Sequence, residues 1–345
     1  MRRQPDAEAP MPVTRRHLLT AAGATLALGS GARAQTPTVI KFSHVVTHDT
    51  PKGKGALKFQ ELAEKYTDGK VKVEIYPNSQ LFKDKEEMEA LQLGAVQMLA
   101  PSMAKFGPLG VKEFEIFDLP YIFPDKDALR KVTEGPVGKD FLNLLQPRGI
   151  TGLAFWDNGF KLMSANREIK RPDDMLGLKV RIQSSKVIEA QMKALGALPQ
   201  VMAFSEVYQA LQTGVVDGTE NPASNMYSQK MHEVQAHAIT SYHGYLGYAA
   251  IVNKAFWDGL APEIRAGLEK AMREATAHAN AIADAENVAA LEAMLKSGKT
   301  KFYTPTPGDR QAWMAALLPV HKEMTARVGK DFLEAVYKAV GKSGG

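Results

Sequence analysis

The sequence predicts an α/β protein of two lobes with mostly parallel sheets, strands that cross between the lobes, and one long helix spanning both. Three observations predict it. From Val39 onward strand-like and helix-like segments alternate, the pattern of βαβ units joined by short connections. The chain has 345 residues, enough for two hydrophobic cores even without a leader. From Glu263 to about Leu295 only Gly267 interrupts a helical stretch that opens at Pro262. Roughly 30 residues at ~1.5 Å each span about 45–50 Å, more than the width of a small lobe.

Taken in order, the chain opens with Thr14-Arg15-Arg16-His17-Leu18-Leu19, an apolar run from Leu18 to Leu28, and Ala32-Arg33-Ala34. Paired arginines, a short apolar region and an Ala-x-Ala ending read as a twin-arginine (Tat) signal peptide over residues 1–34, with Gln35 first after cleavage. The run is too short and too Gly-rich to span a membrane, and no later segment has the unbroken length. A soluble protein outside the cytoplasm is expected. The leader holds five arginines against Asp6 and Glu8, a contribution of +3 to the formal +5, so the remainder is near +2. Its basic residues are scattered, which argues against nucleic acid. There is no cysteine, and a chain of this size needs no disulfides.

Phe59, Leu62, Ala63 and Tyr66 repeat at helical spacing over Lys58–Tyr66, which Asp68-Gly69 terminates, and Val71–Tyr76 alternates as a strand. Asp84 is expected to cap a helix running to about Leu93, with Glu86 and Glu87 in its positive first turn and Gly94 as its stop. Val96–Ala100 reads as the next strand. Thr151–Trp156 and Lys161–Ser164 flank Asp157-Asn158-Gly159, and Tyr242–Ile251 is strand-like but carries two glycines; both are candidate crossovers. The expected division is 35–158 plus about 247–286 for one lobe, and 159–246 plus about 287–345 for the other.

Leu178, Val180 and Ile182 alternate with Lys179, Arg181 and Gln183, so Arg181 stands on the polar face of a short strand. Its planar fork of donors is the side chain best shaped to hold a carboxylate. Ser205 reads as the N-cap of a helix over Glu206–Thr213, stopped by Gly214, and spacing alone puts Phe204 in the core. Asn221 precedes Pro222 in a turn-rich segment. His44 and His48 have a spacing that suits metal on a helix, but Val45, Val46 and Thr47 favour extended chain, so no metal site is expected.

The passage Gly177-Leu178-Lys179-Val180-Arg181, Ala203-Phe204-Ser205-Glu206 and Glu220-Asn221-Pro222 resembles the signature region of the DctP-type solute-binding proteins of TRAP transporters. Ile40–His44, Tyr76–Leu81 and Phe117–Tyr121 extend the resemblance over most of the chain, and Phe42–Lys52 looks like the first cleft loop of the C4-dicarboxylate branch. The resemblance implies the two-lobe periplasmic solute-binding fold. It also implies that Arg181 grips a substrate carboxylate, that Phe204 lines the pocket and that Asn221 offers its amide. Lys161 stands where many members carry arginine, keeping the charge but not the fork. His44 is the implied contact of the first loop, and the segment Ser102 to Lys105, after the Val96 strand, is a further candidate, with Ser102 its named contact.

No Gly-x-Ser-x-Gly, His-Glu-x-x-His or phosphate-binding glycine loop is present, so an enzyme is not expected, and neither is a cofactor. Arg181 plus a second cation suggests a diacid such as succinate, fumarate or malate. A monocarboxylate or keto acid, with Lys161 then satisfied by water or Glu220, is the alternative, as is an orphan receptor feeding a sensor or another transporter. The implied partners are the small and large TRAP membrane subunits, the implied location is the periplasm, and a monomer is expected.

Overall fold

The computed structural model describes residues 36–342. The expected signal peptide lies outside the described residues. Eleven strands follow in chain order: β1 (Thr38–Ser43), β2 (Val71–Tyr76), β3 (Met98–Leu99), β4 (Ile150–Phe160), β5 (Leu162–Ala165), β6 (Lys179–Ile182), β7 (Leu198–Val201), β8 (Gly218–Asn221), β9 (His237–Ile239), β10 (Tyr245–Asn253) and β11 (Lys301–Tyr303). They form a first sheet in the order β2-β1-β3-β10-β4 and a second in the order β11-β9-β5-β8-β6-β7. The sheets are mixed, with five parallel and four antiparallel pairings. β1 runs parallel to β2 and β3, and β6 to β7 and β8, but β10 is antiparallel to β3 and β4, and β5 to β8 and β9. The cause is the crossing itself. β4 takes the chain toward the second sheet and β10 brings it back, so the two lie side by side in opposite directions.

The crossing is built from irregular backbone held by side chains. The ladder between β4 and β10 shifts register at Leu246/Gly247 and again at Ala250/Ile251, the bulges that bend a strand from one surface to another. Asn280 and Asn287 of the long helix take over backbone groups here: Asn280 Oδ1 accepts from Asp157 N at 2.8 Å and Asn287 Nδ2 donates to Asn158 O at 2.9 Å. A Cβ on Gly159 would stand 2.9 Å from that same Asn287 amide, so only glycine lets the helix approach this closely.

The helix over Pro51–Tyr66 starts a full turn and more before the expected Lys58, because Thr50 accepts from Gly53 N at 3.1 Å and Pro51 occupies the first helical position. Asp68 and Gly69 both take positive φ and end it, as expected. The long helix runs Pro262–Ser297, 36 residues and therefore ~54 Å, and Gly298 closes it at φ 65°. It packs against Pro51–Tyr66 and β4 on the first sheet's side and against Ala223–Ser228 on the second's.

Phe42, Phe59, Trp156, Leu268 and Ala275 form one core of the first sheet, and Phe106, Phe114, Phe117 and Phe141 anchor another. The second sheet buries Val180, Ile182, Met192 and Trp313. Each such aliphatic or Phe side chain contributes roughly 1.5–3 kcal/mol of burial, which is why a chain without cysteine holds together. One boundary differs from the expected division. Val320, Met324, Val328, Leu333 and Val336, from the helices Pro319–Val328 and Lys330–Ala339, pack with Phe114 and Phe141 in a first-sheet core. Arg327 fixes them there with two bonds to the buried Glu115, at 2.6 and 2.8 Å.

Candidate functional site

Strand β6 presents Arg181 inward while Val180 and Ile182 go to the core. The guanidinium is 1 % exposed. Its Nε and Nη2 donate to Met202 O at 3.1 and 2.9 Å, and the Phe204 ring lies 5.7 Å beneath it. Those two bonds use two of five N–H donors and fix the plane of the fork. The remaining edge faces a narrow cavity between the sheets with about 20 Å³ open to the centre of a water, room for roughly one water molecule.

Arg181, Phe204, Asn221 and Ser102 all line this cavity. Asn221, ending β8, buries its Nδ2 without a hydrogen-bond partner, although its Oδ1 accepts from Asn225 at 3.4 Å. An unmade donor in a buried place is costly, roughly 1–3 kcal/mol, and marks a position built for a further acceptor. Ser102 Oγ bonds Gln183 Oε1 across the gap.

Two predicted residues lie elsewhere. Lys161 is the single residue between β4 and β5, and its backbone N–H donates to Gly244 O at 2.8 Å. Its ammonium is buried against Glu220 at 2.9 Å, and Glu220 also meets His243 Nε2 at 3.3 Å. Because side chains alternate along β8, Glu220 points away from the cavity that Asn221 faces, and it draws Lys161 with it. His44 is also off the cavity. Its N–H donates to Tyr76 O and its carbonyl accepts from Ser79 N, which sets the ring under the loop, edge-on to Phe42 and His48. Burial, then the Lys52 charge, holds its pKa well below the ordinary imidazole value. The same loop instead contributes Val45 and Val46 to the cavity wall.

The cavity also holds charges that had no assigned role in the sequence. Lys52 Nζ donates to Ala100 O at 3.0 Å and sits 3.8 Å over the Tyr248 ring. Lys105 Nζ pairs with Asp84 Oδ2 at 2.6 Å. Asp84 caps no helix: that helix runs Glu87–Gln92, and Glu86 stands at its N-cap without a side-chain bond. Asp84 Oδ1 instead accepts from Phe204 N at 3.1 Å, and Oδ2 lies 3.9 Å from Arg181 Nη2. Burial pushes the Asp84 carboxyl up, but Lys105 and Arg181 outweigh it and hold the group below its usual range. Burial draws Lys105 and Arg181 down, while Glu87 supplies a second buried carboxyl to the wall.

Residues 42–328 match the family of bacterial extracellular solute-binding proteins, family 7. The chain belongs to this family. Family 7 is a family of solute receptors, not of enzymes. The C4-dicarboxylate-binding periplasmic protein DctP of Rhodobacter capsulatus is 67% identical over 330 residues, 95% of this chain and 99% of that protein. Among solved structures, a TRAP periplasmic solute-binding protein of Shewanella oneidensis with bound succinate is 42% identical, with TM-score 0.86 over 88% of this chain and 100% of that one. A Pseudomonas aeruginosa counterpart with bound L-malate is 45% identical, with TM-score 0.81 over 83% and 100%. The two-lobe α/β architecture is thus that of the family-7 receptors. Among the described residues no helix is long and apolar enough to cross a membrane.

One family-7 residue outside the prediction carried a readable signal. Lys52 and Lys54 occupy the first turn of a helix that has no acidic residue there, where the helix dipole disfavours cations. A lysine in that place is held by something other than the helix.

Proposed function

We propose that this chain captures a C4-dicarboxylate between its lobes, in the periplasm, and delivers it to the membrane subunits of a TRAP transporter. The observation that carries this reading is the gathering of Arg181, Lys105 and Lys52 on one buried cavity, with the unmade Asn221 donor beside them. Against these three cations the cavity sets only two carboxyls, Asp84 and Glu87, which leaves positive charge for an anionic ligand, because unpaired buried charge is expensive. The 67% identity to a C4-dicarboxylate-binding relative supports the same class, as do the succinate and L-malate bound in the two structural neighbours.

In this reading Arg181 holds one carboxylate in its fork, with Phe204 flooring it, while Asn221 and Ser102 hydrogen-bond the acid. Lys105 and Lys52 take the place of Lys161 as the second cationic pole. A four-carbon acid needs more room than one water, so the walls have to part. The bonds that open include Ser102 to Gln183, Asp84 to Phe204 N and Lys83 to Glu206, which cross the gap. The crossing at 157–161 and 244–247, with its bulges, is where the backbone bends. Tat export delivers the protein to the compartment in which this capture takes place.

Thermal unfolding with a panel of acids tests the ligand class. At 100 times its dissociation constant a ligand stabilises the folded state by about 2.7 kcal/mol, so succinate, fumarate or malate raises the midpoint by several degrees. A rise with monocarboxylates and none with diacids contradicts the reading.

A further inference from the structure

We propose that Glu87 takes up one proton when the cavity binds a dicarboxylate dianion, so that the charge of the site matches that of its ligand. This rests on the dicarboxylate reading above and adds a regulatory feature to the same site. Arg181, Lys105 and Lys52 carry three positive charges into the cavity, and Asp84 and Glu87 bring two carboxyls. With both ionised the net charge is +1, suited to a monoanion; with one protonated it is +2, suited to a dianion.

Geometry decides which carboxyl holds the proton. Asp84 is committed as an anion: Lys105 at 2.6 Å, Arg181 at 3.9 Å and the Phe204 N–H at 3.1 Å all favour its charge. Glu87 has no such support. It is 2 % exposed, and only charge at a distance acts on it, with no hydrogen bond. From the elements around it, Lys52 on the first helix and Lys105 after β3 favour its anion, while Asp84 in the preceding loop opposes it; Tyr248 on β10 and Arg181 on β6 complete the wall. On its own helix Glu89 is exposed, as is Glu86 at the N-cap. Burial is the largest influence and pushes Glu87 up to about 7, beside a Lys52 that burial draws down to about 8. A second ligand carboxylate entering beside Glu87 raises it further, since like charges in a dry site do not both ionise. The protonated carboxyl then donates a hydrogen bond to the ligand where the anion would repel it.

Calorimetric titration in two buffers of different ionisation enthalpy measures the proton directly. For succinate at about pH 7.5 the expected uptake is most of one proton; towards about pH 6 it disappears, because Glu87 is already protonated there and part of the succinate sheds its own proton on binding. The dissociation constant of the succinate dianion is a few-fold weaker at the higher pH, because the competent protonated fraction shrinks. Succinamate, the monoamide and a monoanion, shows no uptake at either pH, and Glu87→Gln lowers the uptake for succinate and flattens its pH dependence, leaving only the part that Lys52 takes up. Uptake in Glu87→Gln equal to that of the unsubstituted protein assigns the proton to Lys52 and overturns the proposal. Succinate bound with no buffer-dependent heat overturns the coupling alone. Succinate without binding heat at either pH overturns the dicarboxylate reading and the coupling with it.

Discussion

Arg181→Ala weakens dicarboxylate binding by about 2–5 kcal/mol, the cost of removing one partner from a desolvated charge pair. The magnitude follows from how little else is able to replace the fork. The guanidinium is buried, its plane is locked by Met202 O and Phe204, and its free edge faces the cavity. Truncation also leaves Asp84 to Lys105 alone, turning part of the second cationic pole toward an internal carboxylate. Arg181→Lys restores charge without bidentate geometry and recovers only part of the loss. Calorimetry with succinate checks both variants, with the unfolding midpoint read alongside to separate lost contacts from lost fold. An Arg181→Ala protein that binds as tightly as the original sinks the assignment.

Glu220→Ala is the second large effect, and it falls on stability. Lys161 and Glu220 are 2 % and 1 % exposed at their side chains and 2.9 Å apart, and His243 lies 3.3 Å from the same carboxylate. Removing the acid takes the direct partner from a buried ammonium and leaves it only the more distant Asp118 carboxyl, a change that costs about 3–5 kcal/mol. Urea unfolding measures it as a lower midpoint. The pH dependence has a definite sign. Burial raises the Glu220 carboxyl, but Lys161 and His243 prevail and hold its folded value below the usual one. The stabilisation is therefore complete above the ordinary carboxylate range and is lost as pH falls through the depressed folded value. Unchanged stability together with a large loss of affinity would return Lys161 to the ligand.

The contrast between these residues explains what was legible in the sequence. Arg181 was readable because one strand pattern fixes both its face and its chemistry. Lys161 was readable only in part: Glu220 stood open as one alternative to the ligand, but that partner comes from a strand about sixty residues later and the side chain's direction from the break between β4 and β5. The long helix was readable from unbroken helical spacing, but the C-terminal pair of helices was not, since their apolar stripe does not say which core receives it. Asp84 was misread for a local reason: an acid ahead of a helix looks like a cap whether or not tertiary contacts claim its oxygens. Glu87 was hidden the same way, as one of several acids in a first turn that normally face water.

In the proposed site one dicarboxylate lies between Arg181 and the Lys105–Lys52 pole, and a crystal structure with succinate tests this. One carboxylate is expected within about 2.7–3.2 Å of Arg181, the other directed at Lys105 or Lys52, Asn221 Nδ2 donating to the acid, and Lys161 still paired with Glu220. Succinate held by Lys161 or His44, with Arg181 still turned only to Met202 and Asp84, would contradict it.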